Sequence, residues 1–126
     1  MKIAITTTGK DIDSDIDSRF GRCINFLIID TDSTHVEVLE NKSTQSAHGA
    51  GIGAAQNVTS MKVEAIITGH VGPNAFMALS KAGIKIYTGA KGTVRDALTQ
   101  YNEGNLKEAT DPTVSGHHGQ GKRLRV

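Results

Sequence analysis

Three glycine-rich segments, each running into a predicted helix, are the part of this sequence best suited to binding chemistry. They are 47–51 (Ala-His-Gly-Ala-Gly), 68–74 (Thr-Gly-His-Val-Gly-Pro-Asn) and 88–92 (Thr-Gly-Ala-Lys-Gly). The first turn of a helix has backbone N–H groups without an intrahelical acceptor, and the helix dipole adds partial positive charge there. Because glycine lets a ligand approach the backbone closely, the pattern favours a bound anion. The alternative is that these segments are short connections that need glycine only to turn.

Two arginines, Arg19 and Arg22, bracket Phe20 and Gly21 just before a predicted strand. A guanidinium group keeps its charge and offers several N–H donors in one plane. Two such groups beside an anion site would supply charge and directional hydrogen bonds. For either arginine alone, a solvated side chain paired with an upstream aspartate is the simpler interpretation.

The candidate soft-metal ligands are Cys23, His48 and His70, since thiolate and imidazole bind such metals. A positive charge at Arg22 is expected to lower the pKa of the Cys23 thiol. The opposing interpretation, which is slightly favoured, is that Cys23 is a small apolar residue at the start of a buried strand. One cysteine excludes an internal disulfide and a four-thiolate iron–sulfur site within one chain.

The sequence lacks the residues that several classes of enzyme and metal-binding protein require. Four aspartates alternate over 11–17, but a calcium loop of the EF-hand type would need glycine and glutamate where Ile16 and Arg22 stand. The sequence has neither a Gly-x-Ser-x-Gly nucleophile motif nor a phosphate-binding loop ending in Gly-Lys-Ser/Thr. The predicted strand ends carry threonine and glycine, whereas a two-metal nuclease needs carboxylates there. We therefore expect a binding protein and not an enzyme.

The elements that would position these residues follow from hydrophobic periodicity. Strands are predicted at 2–8, 26–29, 35–40, 65–67 and 84–86, and helices at 51–61, 73–82 and 94–103. Right-handed crossovers then give a mixed five-stranded sheet in the order 3-2-1-4-5, with strand 2 antiparallel and the last strand at an edge. Helices on both faces make this a three-layer α/β/α fold that resembles the ribonuclease H layout.

Ligands of such sheets bind beyond the carboxyl ends of the parallel strands. The segments 6–9, 68–74 and 88–92 are expected to converge on that rim. The segment 47–51 is expected to enter its helix from the opposite edge.

Length and composition indicate a single domain, 1–110, followed by a flexible tail, 111–126, which carries His117 and His118. The 126 residues have a net charge of +1 and no basic stripe before the tail, so a nucleic-acid partner is not expected. No apolar run approaches the roughly 20 residues that span a membrane. The lack of a disulfide framework favours the cytoplasm, and we expect a monomer or weak dimer.

The sequence resembles the dinitrogenase iron–molybdenum cofactor biosynthesis family from Met1 to about Asn105. The resemblance lies in Arg-Phe-Gly-Arg at 19–22, His-Gly-Ala-Gly-Ile at 48–52, Thr-Gly-His-Val-Gly-Pro-Asn-Ala-Phe at 68–76 and Ala-Gly-Ile at 82–84. It implies a ribonuclease H-like α/β/α fold and a protein that carries or scaffolds an anionic metal–sulfur cluster without turnover. Its implied partners are cluster-assembly or cluster-accepting proteins.

Motifs and resemblance together define the candidate site. The resemblance implies that six residues lie near the cluster: Arg19, Arg22, Cys23, His48, His70 and Asn74. The full set of candidate cofactor-binding residues is Arg19, Phe20, Gly21, Arg22, His48, Gly49, Gly51, Gly69, His70, Gly72, Pro73 and Asn74. The expected ligand is a non-covalently held cluster of molybdenum, iron or both, and not a nucleotide. The alternative is a regulatory or protein-interaction domain that binds a small anionic effector in the same crevice.

Overall fold

The chain follows the predicted order of strands and helices and adds one short strand after the last helix. The computed structural model describes residues 1–33, 35–42 and 50–112. Its elements are β1 (Lys2–Thr7), β2 (Asn25–Asp30), β3 (Val36–Glu40), α1 (Ala50–Ser60), β4 (Ala65–Ile67), α2 (Pro73–Lys81), β5 (Lys85–Thr88), α3 (Val94–Asn102) and β6 (Lys107–Glu108). They form one mixed sheet in the order β3-β2-β1-β4-β5-β6, which confirms the predicted order of the first five strands.

The strand directions agree with the prediction, but β5 is not at the edge of the sheet. The antiparallel strand β2 pairs with both β1 and β3, while β1, β4 and β5 run parallel. The prediction that β5 is an edge strand is wrong, because β6 pairs with it in antiparallel fashion at Tyr87–Glu108 and Thr88–Lys107. The two residues of β6 are polar and exposed, so no hydrophobic pattern marks them.

The sheet is covered on both faces, as the continuous apolar strands predict. One face packs Ala4, Phe26 and Ile28 against α1 and α2, and the other packs Ile5 and Leu27 against α3. Full burial of a phenylalanine, leucine or isoleucine side chain stabilises the fold by about 1.5–3 kcal/mol. The three-layer α/β/α architecture is therefore confirmed.

The ends of the helices follow local signals. Pro73 occupies the first turn of α2, and Gly83 follows this helix with a φ of 78°. The described part of the chain includes no helix both long enough and apolar enough to cross a membrane. The predicted flexible tail lies outside the described residues beyond Pro112.

Candidate functional site

A crevice of about 250 Å³ opens where the first turns of α1 and α2 meet the turn at 19–22. It lies beyond the carboxyl end of the parallel strands, because α2 follows β4 and because Asn25, just after the turn, pairs with Thr7 at the end of β1. Its lining is Gly21, Arg22, Ala50, Gly51, Gly72, Pro73, Asn74 and Ala75. Six of the twelve predicted cofactor-binding residues thus line one crevice.

The N-terminus of α2 presents hydrogen-bond donors at this crevice. Its N-cap, Gly72, has no side chain to cap the helix, and Pro73 has no N–H to offer. The first helical bond is donated by Phe76 to the Gly72 carbonyl at 2.9 Å. Within the described residues the amides of Asn74 and Ala75 donate no hydrogen bond. These two N–H groups are available to an anion.

The N-terminus of α1 enters the same crevice. Ala50 and Gly51 line it together with Gly72. Residues 47–49 lie outside the described residues, so the approach of the segment 47–51 from the opposite edge stays a prediction. The direction of β3 explains why α1 begins at this rim. Since β2 is antiparallel to both of its neighbours, β3 runs parallel to β1 and ends at the same rim as β1 and β4.

The segment 88–92, by contrast, does not present free helical amides. The amides of Val94 and Arg95 donate to the carbonyls of Ser14 and Ile12 at 2.9 and 2.8 Å. The next amide, of Asp96, donates to the Thr93 hydroxyl in a capping box. The expectation that this helix start attracts an anion is therefore not met.

The aspartate-rich loop has a structural role at α3. Besides the carbonyls that accept from the α3 amides, its Asp13 forms an ion pair with Arg95 at 3.0 Å. The hydrogen bond and charge of Arg95 lower the pKa of Asp13. This contact is exposed at both partners, so it contributes little to stability.

Arg19 and His70 lie side by side at the rim but do not line the crevice. The turn and the loop after β4 are joined by a short parallel bridge, in which the His70 amide donates to the Ser18 carbonyl at 2.7 Å. The Arg19 side chain pairs with Asp17, whose carboxylate is buried, at 3.3 Å. The hydrogen bond from Arg19 to Asp17 raises the pKa of Arg19. Asp17 offsets much of the positive charge of Arg19, whereas Arg22 is the arginine that lines the crevice.

Gly69 and Phe20 stabilise the rim of the crevice through close backbone approach and core packing. A Cβ atom on Gly69 would come within 2.8 Å of the Ser18 backbone, so the absence of a side chain permits the bridge. Phe20 is 1% exposed and packs on Phe26 with ring centroids 5.6 Å apart. Both residues are packing elements of the site, and neither lines the crevice.

Cys23 is fully buried directly after the turn. Burial raises the pKa of its thiol to about 12, and the negative charge of Asp17 acts in the same direction. The expected lowering of this pKa is therefore wrong, because desolvation outweighs the nearby positive charge. The role of Cys23 as a metal ligand stays a prediction, as does that of His70.

His48 and Gly49 lie outside the described residues, so their predicted roles also stay predictions. Among the residues that are described, no three histidine, cysteine, aspartate or glutamate side chains group closely enough to hold a metal ion.

The structure also identifies a residue that motif and periodicity did not single out. Asn41 is 4% exposed and donates from its side chain to the carbonyls of Gly21 and Cys23. An asparagine directly after a strand usually indicates a turn, so only its long-range contacts reveal its link to the crevice.

Comparison with known proteins places the chain among nitrogenase-related domains. The family model described as dinitrogenase iron-molybdenum cofactor matches residues 1–104. The apo form of the orange protein from Desulfovibrio gigas is 38% identical, with a TM-score of 0.86 over 89% of this chain and 95% of that one. A Thermotoga protein described as NifB-like is 43% identical, with a TM-score of 0.80 over 89% and 96% of the two chains. An uncharacterised protein of Methanocaldococcus jannaschii is 27% identical over 86% of this chain and 95% of its own length.

Proposed function

Because the chain belongs to the dinitrogenase iron–molybdenum cofactor family, we propose that it is a carrier or scaffold for an anionic metal–sulfur cluster. The cargo contains molybdenum, iron or both, and it occupies the crevice between the turn at 19–22 and the first turns of α1 and α2. The protein holds this cluster or its precursor and passes it to a cluster-accepting partner, without converting it.

The observation that carries the proposal is the free amides of Asn74 and Ala75 in a crevice that Arg22 also lines. Two helix N-termini meet there, and each contributes partial positive charge. An anion gains charge-assisted hydrogen bonds from such donors. Gly72 leaves the backbone accessible to it, since a Cβ atom there would meet nothing within 4 Å.

The available side chains favour a non-covalent mode of binding. The described residues offer no triad of metal ligands, and Cys23, the soft ligand that follows Arg22 in sequence, is buried and protonated at neutral pH. Charge and backbone amides therefore supply most of the affinity, and an imidazole such as that of His48 or His70 adds one soft contact. Weak, open binding of this kind suits a cargo that must be released.

The relatives fit this role. The D. gigas protein is described as an orange protein in its apo form, as expected for a protein that also has a ligand-bound form. The family description names the iron–molybdenum cofactor of dinitrogenase. We propose that the chain works in the cytoplasm as a monomer or weak dimer, between cluster-assembly and cluster-accepting proteins.

The direct test is anaerobic purification from the native host, followed by metal and sulfide analysis and visible spectroscopy. A coloured protein with stoichiometric metal and sulfide is the expected result. Titration of the purified protein with tetrathiomolybdate gives a second measurement, in which Arg22→Ala should weaken binding. Lys91→Ala removes an exposed charge from the loop before α3 and is the matched control.

A different outcome would favour the alternative function. A colourless protein that fails to bind tetrathiomolybdate but binds inorganic phosphate at the crevice would contradict the carrier proposal. It would indicate a regulatory or interaction domain that recognises a small anionic effector.

A further inference from the structure

Asn41 joins the end of β3 to the turn that forms one wall of the crevice. Its side-chain Nδ2 donates to the Gly21 carbonyl at 3.2 Å and to the Cys23 carbonyl at 2.9 Å. Its backbone N–H donates to the Ile24 carbonyl at 3.0 Å. Three hydrogen bonds from one buried residue thus hold a turn that precedes it by about 20 residues in sequence.

The turn depends on these bonds. Within the described residues, no other hydrogen bond reaches the carbonyls of Gly21 and Cys23. The bond to the Cys23 carbonyl is buried and the bond to the Gly21 carbonyl is partly buried, so the loss of Asn41 would leave both acceptors without their donor and push these peptides to other orientations. Glycine at position 21 makes such a rotation easy, because its backbone is not restricted by a Cβ atom.

The orientation of the Gly21–Arg22 peptide matters for an anion. The peptide is planar and trans, so its N–H points away from Asn41 when its carbonyl accepts a bond from Asn41. A rotated peptide would turn the negative end of its dipole away from Asn41. The neutral amide of Asn41 holds the carbonyl without bringing a charge of its own.

We infer that Asn41 is a positioning residue for the anion site: it fixes the Gly21–Arg22 peptide so that its carbonyl is held away from the bound cluster. The inference rests on the proposed function. Asn41 does not touch the ligand, and it acts through the backbone of the two turn residues that line the crevice.

The test compares Asn41→Leu, which keeps the volume and removes the donors, with wild-type protein. Tetrathiomolybdate should bind about tenfold more weakly to the variant, at a temperature where both proteins are folded. The amide NMR signals of Gly21 and Arg22 should shift or broaden in the ligand-free variant. Val94→Ala, which creates a core cavity beside α3, is the control for a general loss of stability. It should leave both the affinity and these two signals unchanged.

The possible results distinguish a failure of the proposed carrier function from a failure of the positioning role of Asn41. Wild-type protein that binds, together with a folded Asn41→Leu variant that binds equally well, would overturn the inference and leave the proposed function intact. Wild-type protein that does not bind would overturn the proposed function and the inference with it. If the leucine variant does not fold, Asn41→Ala provides the same comparison in a smaller side chain.

Discussion

Gly21 and Gly51 lie in direct backbone contact: a Cβ atom on Gly21 would come within 2.9 Å of the Gly51 amide nitrogen. Gly51 in turn packs against Ala75, whose Cβ would lie 3.2 Å from a Cβ on Gly51. The turn, α1 and α2 therefore converge through three small residues. This close packing brings both helix N-termini to one crevice.

The first prediction concerns this contact. Gly21→Ala should lower the free energy of unfolding by about 1–3 kcal/mol, because the added methyl group meets backbone that cannot easily move. It should also weaken the binding of tetrathiomolybdate by separating the turn from α1. Urea denaturation and calorimetric titration measure the two effects. A variant with wild-type stability and affinity would show that the turn and α1 can move apart at little cost.

The second prediction uses Gly72, which lines the crevice and has open space where a side chain would begin, since a Cβ atom there would meet nothing within 4 Å. Its φ of −79° is accessible to any residue, so Gly72→Val should not lower the free energy of unfolding. The side chain would occupy the space above the α2 amides, and anion binding should weaken. Thermal denaturation and titration of the same sample check both parts. Unchanged binding in this folded variant would show that the ligand does not bind at the N-terminus of α2.

The third prediction separates the two arginines. The double variant Arg19→Ala/Arg22→Ala should lose about 1–3 kcal/mol of anion-binding free energy, the range for hydrogen bonds to charged groups. Most of the loss should come from Arg22, since Arg22 lines the crevice and Arg19 does not. Isothermal titration of both single variants measures how much binding free energy is lost with each arginine.

Arg19→Ala carries a further expectation for stability. It leaves the buried Asp17 carboxylate without its cation, so the free energy of unfolding should fall in this variant. Lys91→Ala, again the surface control, should change neither property. Equal losses of affinity in the two single variants would contradict the assignment of Arg22 as the crevice arginine.

The fourth prediction follows from the pKa of Cys23, which folding raises from an ordinary value of 9.0 to about 12. Between these two pH values the unfolded chain loses the thiol proton and the folded chain keeps it. The Cys23 thiol therefore leaves folding stability unchanged below about pH 9 and lowers it as the pH rises toward 12. Urea denaturation across this range measures the slope.

Cys23→Ser is the control for this pH dependence, since its hydroxyl does not titrate there. The difference in stability between wild-type and variant protein should change steadily above pH 9 and stay constant below it. A constant difference throughout would mean that the thiol is not shielded from water. The same variant should take up a reconstituted cluster with unchanged stoichiometry and spectrum if Cys23 is only structural.

Sequence patterns alone predict the order of elements up to α3, the order of the first five strands and the start of α2. These features depend on signals that act over a few residues: apolar runs, the proline at 73 and the glycine at 83. The handedness of crossovers then leaves few arrangements of the sheet. The six crevice residues that were predicted belong to motifs of this local kind.

Which of these motifs lie together depends on contacts between residues that are far apart in sequence. The α3 amides are taken by carbonyls about 80 residues earlier in the chain, and the direction of β3 brings α1 to the same rim as α2. The high pKa of Cys23 and the contacts of Asn41 likewise depend on neighbours that are distant in sequence. Desolvation and hydrogen-bond satisfaction depend on the whole surroundings of a group, and no local pattern of residue types contains that information.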